Sequence, residues 1–127
     1  MSRGVEFEVN AGVALLRINR PTSRNALSWA AQDAFAAAVT AAGQDETLRA
    51  LIITGADGAF VSGGDLKELA AHPETAAGER LNRVMSGALA ALSELPFPVT
   101  AAVDGDAVGG GCDILTACDM LLVTSGA

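Results

Sequence analysis

Two short apolar runs, each followed by glycines and then by a helix-forming stretch, constrain the fold of this chain most. They span Ala50–Thr54 and Val99–Val103, and neither contains a charged residue. Runs of this kind are typical of strands that are buried on both faces of a parallel sheet. Because strand, loop and helix alternate along the chain, we predict an α/β fold with mostly parallel strands.

The N-terminal part of the chain predicts a hairpin and a helix. Apolar and acidic residues alternate over 5–9, and the stretch "VALLRIN" over 13–19 follows a short turn, which is the pattern of a β-hairpin. Ser28 is a candidate N-cap for a helix that runs to about Ala42. We expect Gly43 to end that helix, since glycine is favoured just after a helix.

The remainder of the sequence predicts two more helices, a helical turn or two and a last strand. Asp65 is a candidate cap for a short helix that stops near Pro73. Apolar residues recur at three- and four-residue steps from Leu81 to Leu95, which predicts an amphipathic helix closed by the following Pro-Phe-Pro. After a loop over 109–111 we expect a helical turn or two and a final strand over 120–123.

Composition and charge exclude several classes of protein. The chain has 127 residues, which allows one domain at most. Half of its residues are hydrophobic, but no continuous apolar run reaches the roughly 20 residues needed to cross a bilayer. We therefore expect a soluble, cytoplasmic protein with Cys112 and Cys118 reduced. A net charge of -7 and a single lysine argue against a nucleic-acid surface. No metal-ligand spacing and no dinucleotide-binding glycine pattern is present.

The two glycine loops are the candidate functional site. Gly64 precedes Asp65, and Gly110 lies in a run of three glycines, so each predicted helix begins with a backbone N–H that has no intrahelical partner. Two such donors can hold an oxyanion. Asp113 lies one helical turn beyond Gly110, which places a carboxylate beside that site. The alternative is that the glycines allow close packing and that both aspartates are ordinary first-turn acids.

Three motifs in order resemble the crotonase superfamily, the enoyl-CoA hydratase/isomerase family. They are "INRPTSRNALS" (18–28), "AFVSGGDLKEL" (59–69) and "PFPVTAAVDGDAVGGGCDILTACDMLLV" (96–123). The resemblance implies a ββα spiral that acts on acyl-CoA thioesters, with coenzyme A as part of the substrate and no permanently bound cofactor. It also implies a homotrimer or a dimer of trimers. Residues 1–127 then form the N-terminal part of a single acyl-CoA-binding domain.

The resemblance also assigns roles to individual residues. The two oxyanion-hole N–H groups correspond to Gly64 and Gly110, and the first catalytic acid to Asp113. The residues implied in binding coenzyme A are Arg24, Ala26, Ser62, Gly64, Asp65, Leu66 and Lys67. For Arg24 and Lys67 the alternative is plain solvated charge.

The pattern departs from the family at its acids. Family hydratases carry glutamate where this chain has Asp113, one methylene shorter, and the segment with their second glutamate would follow Ala127. Isomerase, hydrolase, dehalogenase and decarboxylase chemistry are therefore alternatives to hydratase chemistry. A non-catalytic acyl-CoA-binding or assembly subunit and an inactive fragment are further alternatives. Asp106 is a solvated loop acid or a substrate contact, whereas Asp119 resembles a structural position that supports the backbone at a strand start.

Overall fold

The computed structural model describes residues 4–20, 23, 25–56, 58–61, 75–107 and 110–124, and at 75–82, 106–107 and 110–112 it describes the backbone alone. Its strands are β1 Val5–Asn10, β2 Val13–Ile18, β3 Ala50–Gly55, β4 Ala59–Val61, β5 Val99–Val103, β6 Asp106–Ala107 and β7 Met120–Val123. Its helices are α1 Trp29–Gln44, α2 Thr75–Ser93 and α3 Gly110–Ala117.

The main sheet has the strand order β1-β2-β3-β5-β7. The hairpin β1–β2 is antiparallel, while β2, β3, β5 and β7 run parallel to one another. These pairings confirm the predicted hairpin and the predicted α/β class with mostly parallel strands. A second, parallel sheet of β4 and β6 was not predicted, because strands of three and two residues are too short to show a period.

The core lies between the main sheet and the first two helices. Leu51 and Ile53 of β3 are fully buried and join the same apolar cluster as Phe35 of α1 and Leu92 of α2. The intervening Ile52 keeps part of its surface exposed. The prediction that this strand is buried on both faces is therefore wrong, since only the face that meets the helices is fully covered.

The first helix begins where the sequence predicts and ends later. The Ser28 hydroxyl accepts a hydrogen bond from Ala31 N–H at 3.1 Å, which confirms the N-cap. The helix continues through Gly43 to Gln44, so the expected stop at Gly43 is wrong. Asp45 ends it instead, because its carboxylate accepts bonds from the Thr47 N–H at 2.9 Å and hydroxyl at 2.6 Å and turns the chain.

The other predicted elements have mixed outcomes. The second helix begins at Thr75 and ends at Ser93, earlier at both ends than the apolar repeat from Leu81 to Leu95 indicates. The last strand, β7, is confirmed, and all four of its apolar side chains are 49–66% exposed. It pairs with β5 along one edge and with no described strand along the other.

The short helix expected after Asp65 lies outside the described residues. None of the described helices is long and apolar enough to span a membrane.

Asp119 fixes the junction between α3 and β7. Its carboxylate accepts a hydrogen bond from Val99 N–H at 2.8 Å, and its own N–H donates to the Val99 carbonyl at 2.8 Å. Both groups therefore bind the first residue of β5. This arrangement confirms the structural role expected for Asp119.

We expect Asp119→Ala to lower the free energy of unfolding by about 1–3 kcal/mol, because the Val99 N–H loses a charged acceptor. Urea denaturation followed by circular dichroism measures the change. Asp119→Asn is the matched control, since its side-chain oxygen can still accept the bond, and it should lose less than half as much. Equal losses in the two variants would contradict this role.

Candidate functional site

Both predicted glycine loops follow the carboxyl ends of neighbouring parallel strands. The chain leaves β3 at Gly55 and leaves β5 at Val103, at the same edge of the sheet. Each then forms a short strand, and β4 and β6 pair in parallel, with Ala59 opposite Asp106 and Val61 opposite Ala107. The small sheet thus brings together the two chain segments that lead into the loops.

Glycines allow the backbones at this edge to approach each other closely. Gly105 has a φ of +150°, and a Cβ there would collide with the Gly58 carbonyl oxygen and lie 2.8 Å from Ala59 Cα. A Cβ at Gly55 would lie 2.8 Å from Phe60 Cα. No side chain can replace hydrogen at either position without moving backbone atoms. Sequence reasoning assigned neither glycine this close contact, although Gly55 directly follows one predicted strand and Gly105 lies two residues after the other.

Helix α3 carries the described part of the predicted oxyanion site. Gly110 is its first residue, so the loop expected over 109–111 is wrong at Gly110 and Gly111, which are helical. Asp113 lies in the first turn, as predicted, and is exposed. The Gly110 N–H is one of the first four of the helix, which have no intrahelical acceptor, and it lies at the positive end of the helix dipole. This end of α3 can therefore hold negative charge.

The predicted coenzyme A contacts are described only at Ala26. Ala26 is 7% exposed, its N–H donates to Ser23 O at 3.1 Å, and its carbonyl accepts a bond from Arg20 Nη1. The other predicted contacts lie outside the described residues, and so does the second oxyanion glycine. They are Arg24, Ser62, Gly64, Asp65, Leu66 and Lys67. Their roles stay predictions.

A buried asparagine that sequence reasoning missed connects two of these segments. Asn25 is fully buried and has a φ of 61°. Its Oδ1 accepts a hydrogen bond from Arg20 N–H at 2.7 Å, and its Nδ2 donates to the carbonyls of Ala56 at 2.9 Å and Ala59 at 3.0 Å. The motif "INRPTSRNALS" contains two asparagines, Asn19 and Asn25, and the sequence alone does not mark Asn25 as the buried one.

Cys118 is not an activated nucleophile. It is a free thiol whose S–H donates to the Ile114 carbonyl at 3.2 Å. Burial, with a smaller contribution from the Asp119 carboxylate, raises the pKa of Cys118 from 9.0 to about 11. The thiolate is therefore scarce at neutral pH. The side chains of Cys112 and Asp106 lie outside the described set. Among the described residues no cluster of histidine, cysteine and carboxylate groups could hold a metal ion.

Comparison with known proteins agrees with the motifs and the fold. The family model described as Enoyl-CoA hydratase/isomerase matches residues 8–127. The chain belongs to the enoyl-CoA hydratase/isomerase family. This membership confirms the crotonase-superfamily resemblance drawn from the three motifs. The two-sheet α/β arrangement described above is that of the crotonase-like fold.

Curated relatives of this enoyl-CoA hydratase/isomerase family member carry the names of hydratases. Methylglutaconyl-CoA hydratase, mitochondrial, from Mus musculus is 36% identical over 121 residues, which is 94% of this chain and 38% of that protein. Probable enoyl-CoA hydratase EchA14 from Mycobacterium tuberculosis (strain ATCC 25618 / H37Rv) is 37% identical over 116 residues, 91% of this chain and 45% of that protein. The chain spans less than half the length of these curated relatives.

Solved structures match this family member over nearly its whole length. An enoyl-CoA hydratase/isomerase from Xanthobacter autotrophicus Py2 has a TM-score of 0.92 at 35% identity, covering 100% of this chain and 48% of that one. Pseudomonas aeruginosa AtuE has a TM-score of 0.92 at 33% identity, covering 98% of this chain and 49% of that one. The chain therefore corresponds to about half of each matched structure.

We expect Gly105→Ala to destabilise the protein by at least about 2 kcal/mol, because the new Cβ meets backbone atoms of the β3–β4 turn in a strained conformation. Gly87→Ala is the matched control. A Cβ at Gly87 meets nothing within 4 Å on α2, so that change should stabilise by up to about 1 kcal/mol. Urea denaturation measures both, and a Gly105→Ala protein as stable as wild type would contradict the close approach.

Proposed function

We propose that this chain forms the thioester-binding, oxyanion-stabilising part of an enzyme that acts on acyl-CoA substrates in the manner of enoyl-CoA hydratases. The observation that carries the proposal is the start of α3 at Gly110, with Asp113 in the first turn, at the edge where β3 and β5 end. Family membership over residues 8–127 supports it.

Strand pairing supports the assignment of two converging N–H donors. Gly64 and Gly110 each lie three residues beyond the paired residues Val61 and Ala107. Three residues span at most about 10 Å, and this spacing is compatible with two donors near the end of the small sheet. Two N–H groups that bind a thioester oxygen stabilise it most when it becomes negative, since the bonds strengthen as charge develops. The proposed product of that stabilisation is a thioester enolate.

Asp113 is the proposed acid or base of this chain. A carboxylate one turn from an oxyanion donor can move a proton to or from the carbon next to the thioester. The aspartate at this position also favours the second candidate, a non-catalytic acyl-CoA-binding subunit, because its side chain is one methylene shorter than the glutamate of family hydratases and reaches less far. Product formation separates the two candidates.

Substrate binding, assembly and compartment complete the proposal. Coenzyme A binds as part of the substrate, and Arg24 and Lys67 supply the positive charge for its phosphates in a chain of net charge -7. The assembled protein is a homotrimer or a dimer of trimers. The proposed compartment is the cytoplasm, as expected from the sequence; the mouse relative is named mitochondrial.

We expect Gly110→Pro to abolish the preference of the protein for crotonyl-CoA over free coenzyme A. Proline at the first position of a helix is well tolerated and removes the N–H that binds the thioester oxygen. Isothermal titration calorimetry with both compounds measures the preference. Gly110→Ala keeps the N–H and is the control. If the folded wild-type chain binds neither compound, the proposed function is wrong.

Turnover distinguishes the enzyme from the binding subunit. An enzyme of the hydratase type adds water across the double bond of crotonyl-CoA, which mass spectrometry detects as 3-hydroxybutyryl-CoA. Gly110→Pro should then slow the reaction by about 10²–10³-fold. Binding of crotonyl-CoA without any product would favour the binding subunit.

A further inference from the structure

We infer that Asn25 is a positioning residue that holds the two coenzyme A-binding segments of this chain at a fixed separation. The inference rests on the proposed function, because it assigns Asn25 a role in that same site. One segment is the loop that ends at Ala26, a predicted coenzyme A contact, and the other is β4, which the predicted contacts 62–67 follow in sequence.

The amide of Asn25 uses its hydrogen-bonding groups on both segments. Its Oδ1 accepts from Arg20 N–H at 2.7 Å, and its backbone N–H donates to the Arg20 carbonyl at 2.8 Å, so Asn25 closes the loop on itself. Its Nδ2 donates at 2.9 Å and 3.0 Å to the carbonyls of Ala56 and Ala59. These two carbonyls stand on either side of the turn between β3 and β4.

The two bonds from Nδ2 determine where β4 begins. Gly58, inside the turn, has a φ of +75°, and the two acceptors flank it in sequence. Because the asparagine amide is fully buried, no water can replace it, and its loss leaves two carbonyls without a donor. The direction in which the chain enters β4 therefore depends on this side chain.

Asparagine meets requirements that other side chains of its size do not. The position has a φ of 61°, a left-handed conformation that asparagine tolerates better than most residues. It also needs one acceptor and two donors on one short side chain, which an aspartate or a leucine cannot supply. Asn25 therefore satisfies both the left-handed backbone conformation of this position and the hydrogen bonds to the two segments.

The experiment compares coenzyme A affinity in three variants at a temperature where circular dichroism shows each to be folded. Asn25→Gly keeps the left-handed backbone and removes all three side-chain bonds. Asn25→Asp keeps the acceptor for Arg20 N–H and removes both donors to the turn. Leu92→Ala is the control for lost stability, since Leu92 is buried in α2 among core residues and belongs to neither segment.

Calorimetric titration with free coenzyme A should show the dissociation constant raised about tenfold or more in Asn25→Gly and in Asn25→Asp. In Leu92→Ala it should stay within about twofold of wild type. A purely structural role predicts instead that affinity follows stability in all three variants. If the Asn25 variants bind as wild type does, or lose no more affinity than Leu92→Ala, the inference is wrong.

A measurement on the wild-type chain covers the case in which the Asn25 variants do not fold. A ligand that binds both segments stabilises the hydrogen bonds of Asn25 that hold them together. Coenzyme A should therefore slow hydrogen exchange of the Asn25 side-chain amide at least about fivefold. Unchanged exchange in a chain that binds coenzyme A would overturn the inference alone. A wild-type chain that binds neither coenzyme A nor crotonyl-CoA would overturn the proposed function, and the inference with it.

Discussion

The parallel alignment of β3 and β5 determines where the described candidate functional groups of this chain lie. Parallel strands end at one edge, so the segments after Gly55 and Val103 leave the sheet side by side. The pairing of β4 with β6 keeps them together for a few more residues. Gly55 and Gly105 make this possible, because the backbones there come closer than any Cβ allows. Helix α3 begins at Gly110, three residues after the end of β6.

Sequence reasoning succeeded where a local pattern and a physical requirement coincide. The hairpin, the strands β3, β5 and β7, the Ser28 cap and the backbone role of Asp119 all show such agreement. The features that it missed depend on contacts between distant parts of the chain. Asn25 donates hydrogen bonds to Ala56 and Ala59, which are 31 and 34 positions away in sequence. The residues next to Asn25 in sequence do not indicate these partners. Gly43 was given the wrong role because the turn at Asp45, not a glycine, ends α1.

The proposed site relies on backbone donors, and the charge of the chain gives a reason for this. A chain with a net charge of -7 and eight lysines and arginines has little cationic surface with which to attract a phosphate-bearing ligand. Helix starts and glycine N–H groups provide partial positive charge without a cationic side chain. The predicted use of Gly64 and Gly110 as donors, with Arg24 and Lys67 at the phosphates, is consistent with the small number of cationic side chains.

The central claim is that the N–H groups of Gly64 and Gly110 bind the same thioester oxygen. A two-dimensional ¹H–¹⁵N NMR titration of the chain tests it most directly, with crotonyl-CoA as ligand and free coenzyme A as the comparison. The account predicts that both glycine amide signals shift with one common dissociation constant, and much further with crotonyl-CoA than with coenzyme A. If the chain binds crotonyl-CoA while either glycine amide stays in place, the claim is wrong.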